Sequence, residues 1–209
     1  MKSLNLSLTK TVGFTVSAET FTQAETGKIN FEVKPAVDAD FKQARMNAAE
    51  VITGTIQLEQ DISHFIGDVL CGRADVCINP LLKQRNFLGQ HLLESKYLSF
   101  DARRALLGEL IKEFEFVSSE KRRALVSRVK KIGMYRNAFA HGKMKHHEDH
   151  GITLGYHANG RQFDQLNDEF WDGLEQLFRE TKEQLEFVEE QYLKSQYFKM
   201  WLPAQPIRE

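Results

Sequence analysis

The chain has 209 residues, 42% of them apolar and 27% charged, with a formal net charge of −1. That length suffices for one sizeable core, and the composition is that of an ordinary soluble globular protein, which excludes a disordered, collagenous or disulfide-scaffold class. No segment approaches the run of about eighteen apolar residues that a membrane span needs, and the N-terminal Met-Lys-Ser-Leu-Asn-Leu lacks the apolar core of a signal peptide, so a cytoplasmic setting is expected.

Taken in chain order, residues 2–34 alternate in the manner of strands. Leu4, Leu6 and Leu8 form one row, Phe14 and Val16 another, and Ile29, Phe31 and Val33 a third, punctuated by Gly13 and Gly27 and closed by Pro35. A helix is expected from Asp38 or Asp40 to about Leu70, because Phe41, Ala44, Ala48, Val51, Thr55, Leu58, Ile62, Phe65 and Val69 recur three or four apart. Residues 71–80 read as a loop. It holds both cysteines, Cys71 and Cys77, whose spacing fits neither a zinc pattern nor a disulfide framework, although a small-loop bridge stays open.

A second helix is expected over about 81–95, and a third after Ser99, with Leu106, Leu107, Leu110 and Ile111 on its stripe. The fourth is capped by Ser118 or Ser119, carries Leu125, Val129, Ile132 and Phe139, and runs to about His141. Residues 143–151 read as a polar, histidine-rich loop. Ile152 to Tyr156 and Gln162 to Leu166 then form a hairpin around Asn159-Gly160. Asn167 or Asp168 opens a last helix whose stripe takes in Phe170 or Trp171, Leu174, Leu177, Phe178, Thr181, Leu185, Val188 and Tyr192. The expected fold is mainly α: an antiparallel helical bundle of about five helices over residues 37–200. A small N-terminal β element (1–36), the β-hairpin before the last helix and a C-terminal tail (201–209) complete it.

The fourth helix breaks its own pattern. Position 136, which should continue the apolar row between Ile132 and Phe139, is an arginine, and charges are rarely buried without a partner. At about 100° per residue, Asn137 and His141 lie roughly 100° and 140° round from Arg136. Arginine, amide and imidazole therefore share one polar wedge at the helix end, and Gly142 reads as a C′ stop. Charge is also segregated. Residues 121–147 hold nine Lys or Arg and no acid, whereas residues 164–190 hold ten acids against Arg179 and Lys182. A basic stretch of this kind attracts phosphate even in a neutral chain, or pairs with the acidic helix.

The stretch Arg136-Asn137-Ala138-Phe139-Ala140-His141, followed by glycine in an all-helical setting, resembles the R-x4-H signature of the HEPN family (higher eukaryotes and prokaryotes nucleotide-binding domains). The resemblance covers roughly residues 38–200. It implies a homodimer in which two motif helices meet across a two-fold axis, pairing their Arg136 and His141 in a composite ribonuclease site. Cleavage by the neighbouring 2′-hydroxyl would leave 2′,3′-cyclic phosphate and 5′-hydroxyl ends. In a HEPN subgroup whose toxins are modified by a partner nucleotidyltransferase, a tyrosine lies two residues after the histidine; Lys143 stands there, so that regulation is not expected.

The residue types suit metal-free RNA cleavage. Histidine accepts or donates a proton near neutral pH, arginine offers a permanently charged fork to phosphate oxygens, and Asn137 could orient the imidazole or donate to the phosphate. Lys143 and Lys145 are the candidate RNA contacts. No cofactor is expected, and the implied partners are RNA, a second copy of the chain and an antitoxin or other regulatory protein in a toxin or phage-defence setting. Two other readings stay open. One is a non-catalytic HEPN-like module that binds a nucleotide or a protein. The other is a metal enzyme built on His146 and His150, which are four apart and would share a face if helical. Tyr97, Trp171, Tyr192 and Trp201 are expected to pack rather than to stack on bases.

Overall fold

A computed structural model describes residues 2–4, 6, 35–72, 79–93, 98–158 and 160–195. Among them the chain is mainly helical, with a small three-stranded sheet before the last helix. The elements are α1 (Pro35–Cys71), α2 (Asn79–Leu88), a π turn (Gly89–Leu93), α3 (Phe100–Glu113), α4 (Ser119–His141), β1 (Lys143–His147), β2 (Gly151–His157), β3 (Arg161–Gln165) and α5 (Asp168–Lys194). Nearly all of the residues 2–34 expected as strands, the C-terminal tail, and Cys77 with the proposed small bridge lie outside the described residues.

The helix starts follow local hydrogen-bond chemistry. The Ser99 side chain accepts from Ala102 N–H at 3.2 Å, that of Ser118 from Lys121 N–H at 3.4 Å, and that of Asn167 from Phe170 N–H at 2.9 Å. Each cap satisfies a first-turn donor that has no partner inside the helix. Pro35 opens α1 instead of closing the segment before it; a first-turn proline lacks only an N–H that would go unused there. Asn79 and Pro80 likewise belong to α2 and not to the preceding loop, and the helix expected over 81–95 gives way to the π turn at Gly89.

The apolar stripes meet in one core. Val51, Ile62 and Ile66 of α1, Leu107 and Ile111 of α3, Leu125, Val129 and Ile132 of α4, and Trp171 and Val188 of α5 are wholly buried. At one end Phe65, Phe116 and Tyr192 meet edge to face, with ring centroids 5.5 to 6.1 Å apart, and Tyr192 Oη donates to the Asp68 carbonyl at 2.6 Å. At the other end, Leu4 tucks against the helices: its N–H donates to Asn47 Oδ1 at 2.9 Å, and the Asn47 amide donates to the Lys2 carbonyl at 3.0 Å. Burying an apolar side chain contributes about 1.5–3 kcal/mol, so a core of this size dominates the stability of the fold.

The sheet order is β1-β2-β3, antiparallel throughout. The residues from 143 to 147, expected as a loop, form its edge strand, so the expected hairpin is a three-stranded sheet. Ile152 and Leu154 of β2 are buried, and Leu166, just beyond β3, is buried with them; this face packs the sheet onto the helices.

Candidate functional site

The last two turns of α4 are held from one side. Tyr135 and Phe139 are four residues apart and so share a face. The Tyr135 ring meets Phe170 edge-on at 5.5 Å, and the Phe139 ring stacks on Trp171 at 5.6 Å. Aromatic pairs of this geometry add about 0.5–1.5 kcal/mol beyond the area that they bury. With that face fixed against α5, the rest of the turn is turned outward: Asn137, Ala140 and His141 are exposed and Arg136 is partly exposed.

Arg136 Nη1 donates to Asn137 Oδ1 at 3.0 Å. It makes no ion pair among the described residues. The ion pair between α4 and α5 is made one face away, by Arg128 and Glu180 at 2.9 Å, with Arg128 also donating to Gln184 Oε1 at 2.7 Å. Among the described residues no carboxylate neutralises the Arg136 charge, and Asn137 Oδ1 is the acceptor its guanidinium finds. Asn137 and His141 are four apart on the same exposed face. Arg136 and Asn137 are thus joined directly, with His141 one turn beyond.

Gly142 ends α4 by a different device from the one expected. Its φ is −76°, so no left-handed cap forms, and its N–H donates to the Ala138 carbonyl at 2.7 Å. A Cβ at this position would lie 2.3 Å from Ala138 O and 2.9 Å from Gly155 O. Both are backbone atoms, so glycine is required by close approach between helix end and sheet.

No family model, curated protein or solved structure matches this chain.

Lys143 and Lys145 begin directly after the motif and are exposed on β1. Successive strand residues point to opposite faces, so both lie on the side of the sheet away from Met144 and Leu154. His146 and His150, by contrast, are a strand residue and a turn residue, and the helical pair they would have formed does not exist. Among the described residues no three His, Cys, Asp or Glu side chains gather as a metal-ligand set. Trp171 and Tyr192 are core residues, as expected; Tyr97 and Trp201 lie outside the described residues.

Two features escaped the sequence. One is the cluster of Tyr135, Tyr156 and Asp164 beneath the sheet, where Tyr156 Oη donates to Asp164 Oδ2 at 2.8 Å. Burial, then that hydrogen bond and the Asp164 charge, push the Tyr156 phenol well above its ordinary range; burial and the same carboxylate raise that of Tyr135. Both tyrosines stay protonated at physiological pH and cannot act there as bases. The other is the outward face of the sheet, which carries Arg161 and Phe163 beside the two lysines. Only the strand register reveals that face.

Proposed function

We propose that the chain is a metal-independent endoribonuclease of the HEPN type, built as an antiparallel helical bundle that acts as a homodimer. The observation that carries the reading is the state of Arg136: its guanidinium has no acid partner among the described residues and bonds to Asn137, which lies one turn from an exposed His141. A structural arginine would be expected to hold a carboxylate or a helix carbonyl; that Arg136 holds neither among the described residues supports a role in receiving an anion.

In the proposed reaction one His141 accepts the proton of the RNA 2′-hydroxyl, whose oxygen forms a bond to phosphorus. The bond from phosphorus to the 5′-oxygen breaks, and the His141 of the second copy protonates that leaving oxygen. Two imidazoles are needed because one cannot accept and donate in the same step, and each chain offers a single His141 at a motif helix. The paired Arg136 side chains stabilise the charge that develops on the phosphorane oxygens, a role in which preorganised donors commonly contribute several kcal/mol. Asn137 holds the guanidinium in place. The resemblance also implies an antitoxin or similar protein that restrains such an enzyme.

The test is product chemistry. Purified protein incubated with labelled RNA in chelator should release fragments ending in 2′,3′-cyclic phosphate and 5′-hydroxyl, and sedimentation should give a dimer at micromolar concentration. A monomer, or products ending in 3′-hydroxyl and 5′-phosphate, would contradict the reading. Nucleotide binding without turnover would favour the non-catalytic module.

A further inference from the structure

The three strands bring together, on their outward face, residues that are far apart in sequence. The pairing sets Lys143 opposite Gly155 and Gly155 opposite Phe163; the next row sets Lys145 opposite Thr153, and the end of the hairpin sets His157 opposite Arg161. Residues directly opposite one another share a face. No Asp or Glu occupies an outward position on the three strands, since the one acid among them, Asp164, points inward and accepts from Tyr156. Glu148 and Asp149 lie in the turn beyond the far end of β1.

Phe163 is 60% exposed at the centre of this basic face. Its ring lies close over Gly155, where a Cβ would come within 3.1 Å of Cε1. The guanidinium carbon of Arg161 is 5.1 Å from the ring centroid. Lys143 stands on the strand beyond that glycine, two strand spacings or about 9.5 Å from the backbone of Phe163, so the ring leans across β2 toward the strand that carries the lysines.

We infer that this face binds a single-stranded segment of nucleic acid, with one base stacked on Phe163 and the backbone phosphates held by Lys143, Lys145 and Arg161. An aromatic ring covering a glycine also occurs for packing alone, but that accounts neither for the absence of acids nor for the cations around it. Magnitudes decide what occupies the ring. An exposed cation–π contact contributes about 0.5–1 kcal/mol, whereas stacking of a base contributes about 1–3 kcal/mol, so a base displaces Arg161 and frees its guanidinium for a phosphate. A duplex offers no free base face, which selects an unpaired strand. The face begins at Lys143, two residues after His141, so a strand lying across the sheet leads to the end of α4. The inference rests on the ribonuclease reading only for which polymer is present in the cell.

The test uses full-length His141→Ala protein, so that cleavage cannot interfere, and fluorescein-labelled 12-residue RNA, DNA and abasic strands. Phe163→Ala, and Phe163→Leu as a variant that keeps Gly155 covered, should weaken binding about ten-fold, within the range that loss of one stacked base allows. Phe163→Trp should keep the affinity and lose indole emission on binding. The abasic strand should bind parent and Phe163→Ala alike. Replacing Lys143 and Lys145 by alanine should flatten the plot of log affinity against log salt by about 1.4, or about 0.7 for each phosphate contact. Dependence on Phe163 for RNA alone identifies RNA as the ligand; equal dependence for DNA identifies a general single-strand platform. Unchanged affinity in both Phe163→Ala and Phe163→Leu overturns the inference. If those variants bind normally while His141→Ala has lost the cleavage that wild type shows, the platform is wrong and the catalytic reading stands. If wild type does not cleave but Phe163 governs binding, the reverse holds.

Discussion

At the scale of single residues, the buried polar contacts make the sharpest claims. Tyr156 donates to a half-buried carboxylate, and its phenol is raised by burial first and by Asp164 second. For a group whose pKa is raised on folding, the stabilisation is complete below the unfolded value, about 10 for a phenol, and is lost as pH rises through the folded value. Tyr156→Phe should therefore cost about 1–2 kcal/mol at neutral pH by leaving Asp164 short of a donor. It should also make denaturant midpoints fall less steeply than those of wild type from pH 9 to the alkaline limit of the assay. An unchanged alkaline slope would mean that the phenol is not protected. Arg136 could be singled out in the sequence because it interrupts an apolar row. Arg103 could not: it is buried, and its guanidinium donates to the Leu93 and Leu98 carbonyls and pairs with Glu59, a charge site made by backbone that only folding assembles.

At the scale of elements, legibility follows the strength of the periodic signal. On the expected stripe of α5, Trp171, Leu174, Phe178, Thr181, Leu185, Val188 and Tyr192 are buried, while Leu177 is partly buried at its edge. β1 was invisible because its segment Lys-Met-Lys-His-His offers Met144 as its one apolar residue. A charged edge strand of this kind resists pairing with other chains, and the same charges disguise it as loop. The junction with α4 depends on Gly142, where the nearest obstacles are carbonyl oxygens of α4 and β2. Gly142→Ala should thus destabilise by about 1–3 kcal/mol, the usual range for overpacking. Faster amide exchange in β1 and β2 than in α1 should accompany the loss. A melting temperature equal to that of wild type would show that the junction yields easily.

At the scale of the whole molecule, the two charged stretches noticed in the sequence do not cancel. Of the nine bases in residues 121–147, Arg128 is the one that forms an ion pair among the described residues, while Lys121 lies over the Phe187 ring at 4.1 Å. Lys130, Lys131, Arg136, Lys143 and Lys145 keep their charge available. Affinity for RNA should fall steeply with salt, and reversing Lys143 and Lys145 to glutamate should weaken it similarly for unrelated sequences. Affinity indifferent to ionic strength would reduce this side to a solvated surface. The proposed dimer rests on the resemblance to the HEPN family alone, since an interface between copies leaves no periodic mark in one chain. The central claim is that Arg136 and His141 serve catalysis and not the fold, and one paired measurement addresses it: single-turnover cleavage of labelled RNA in chelator, alongside thermal midpoints, for wild type, His141→Ala and Arg136→Ala. His141→Ala should cleave slower by about 10²–10⁴, the range for lost general acid–base catalysis. Arg136→Ala should lose activity while its stability stays within about 0.5 kcal/mol of wild type, as for a surface substitution. Cleavage at the wild-type rate by both variants, or a loss in Arg136→Ala that merely follows a lowered melting temperature, would contradict it.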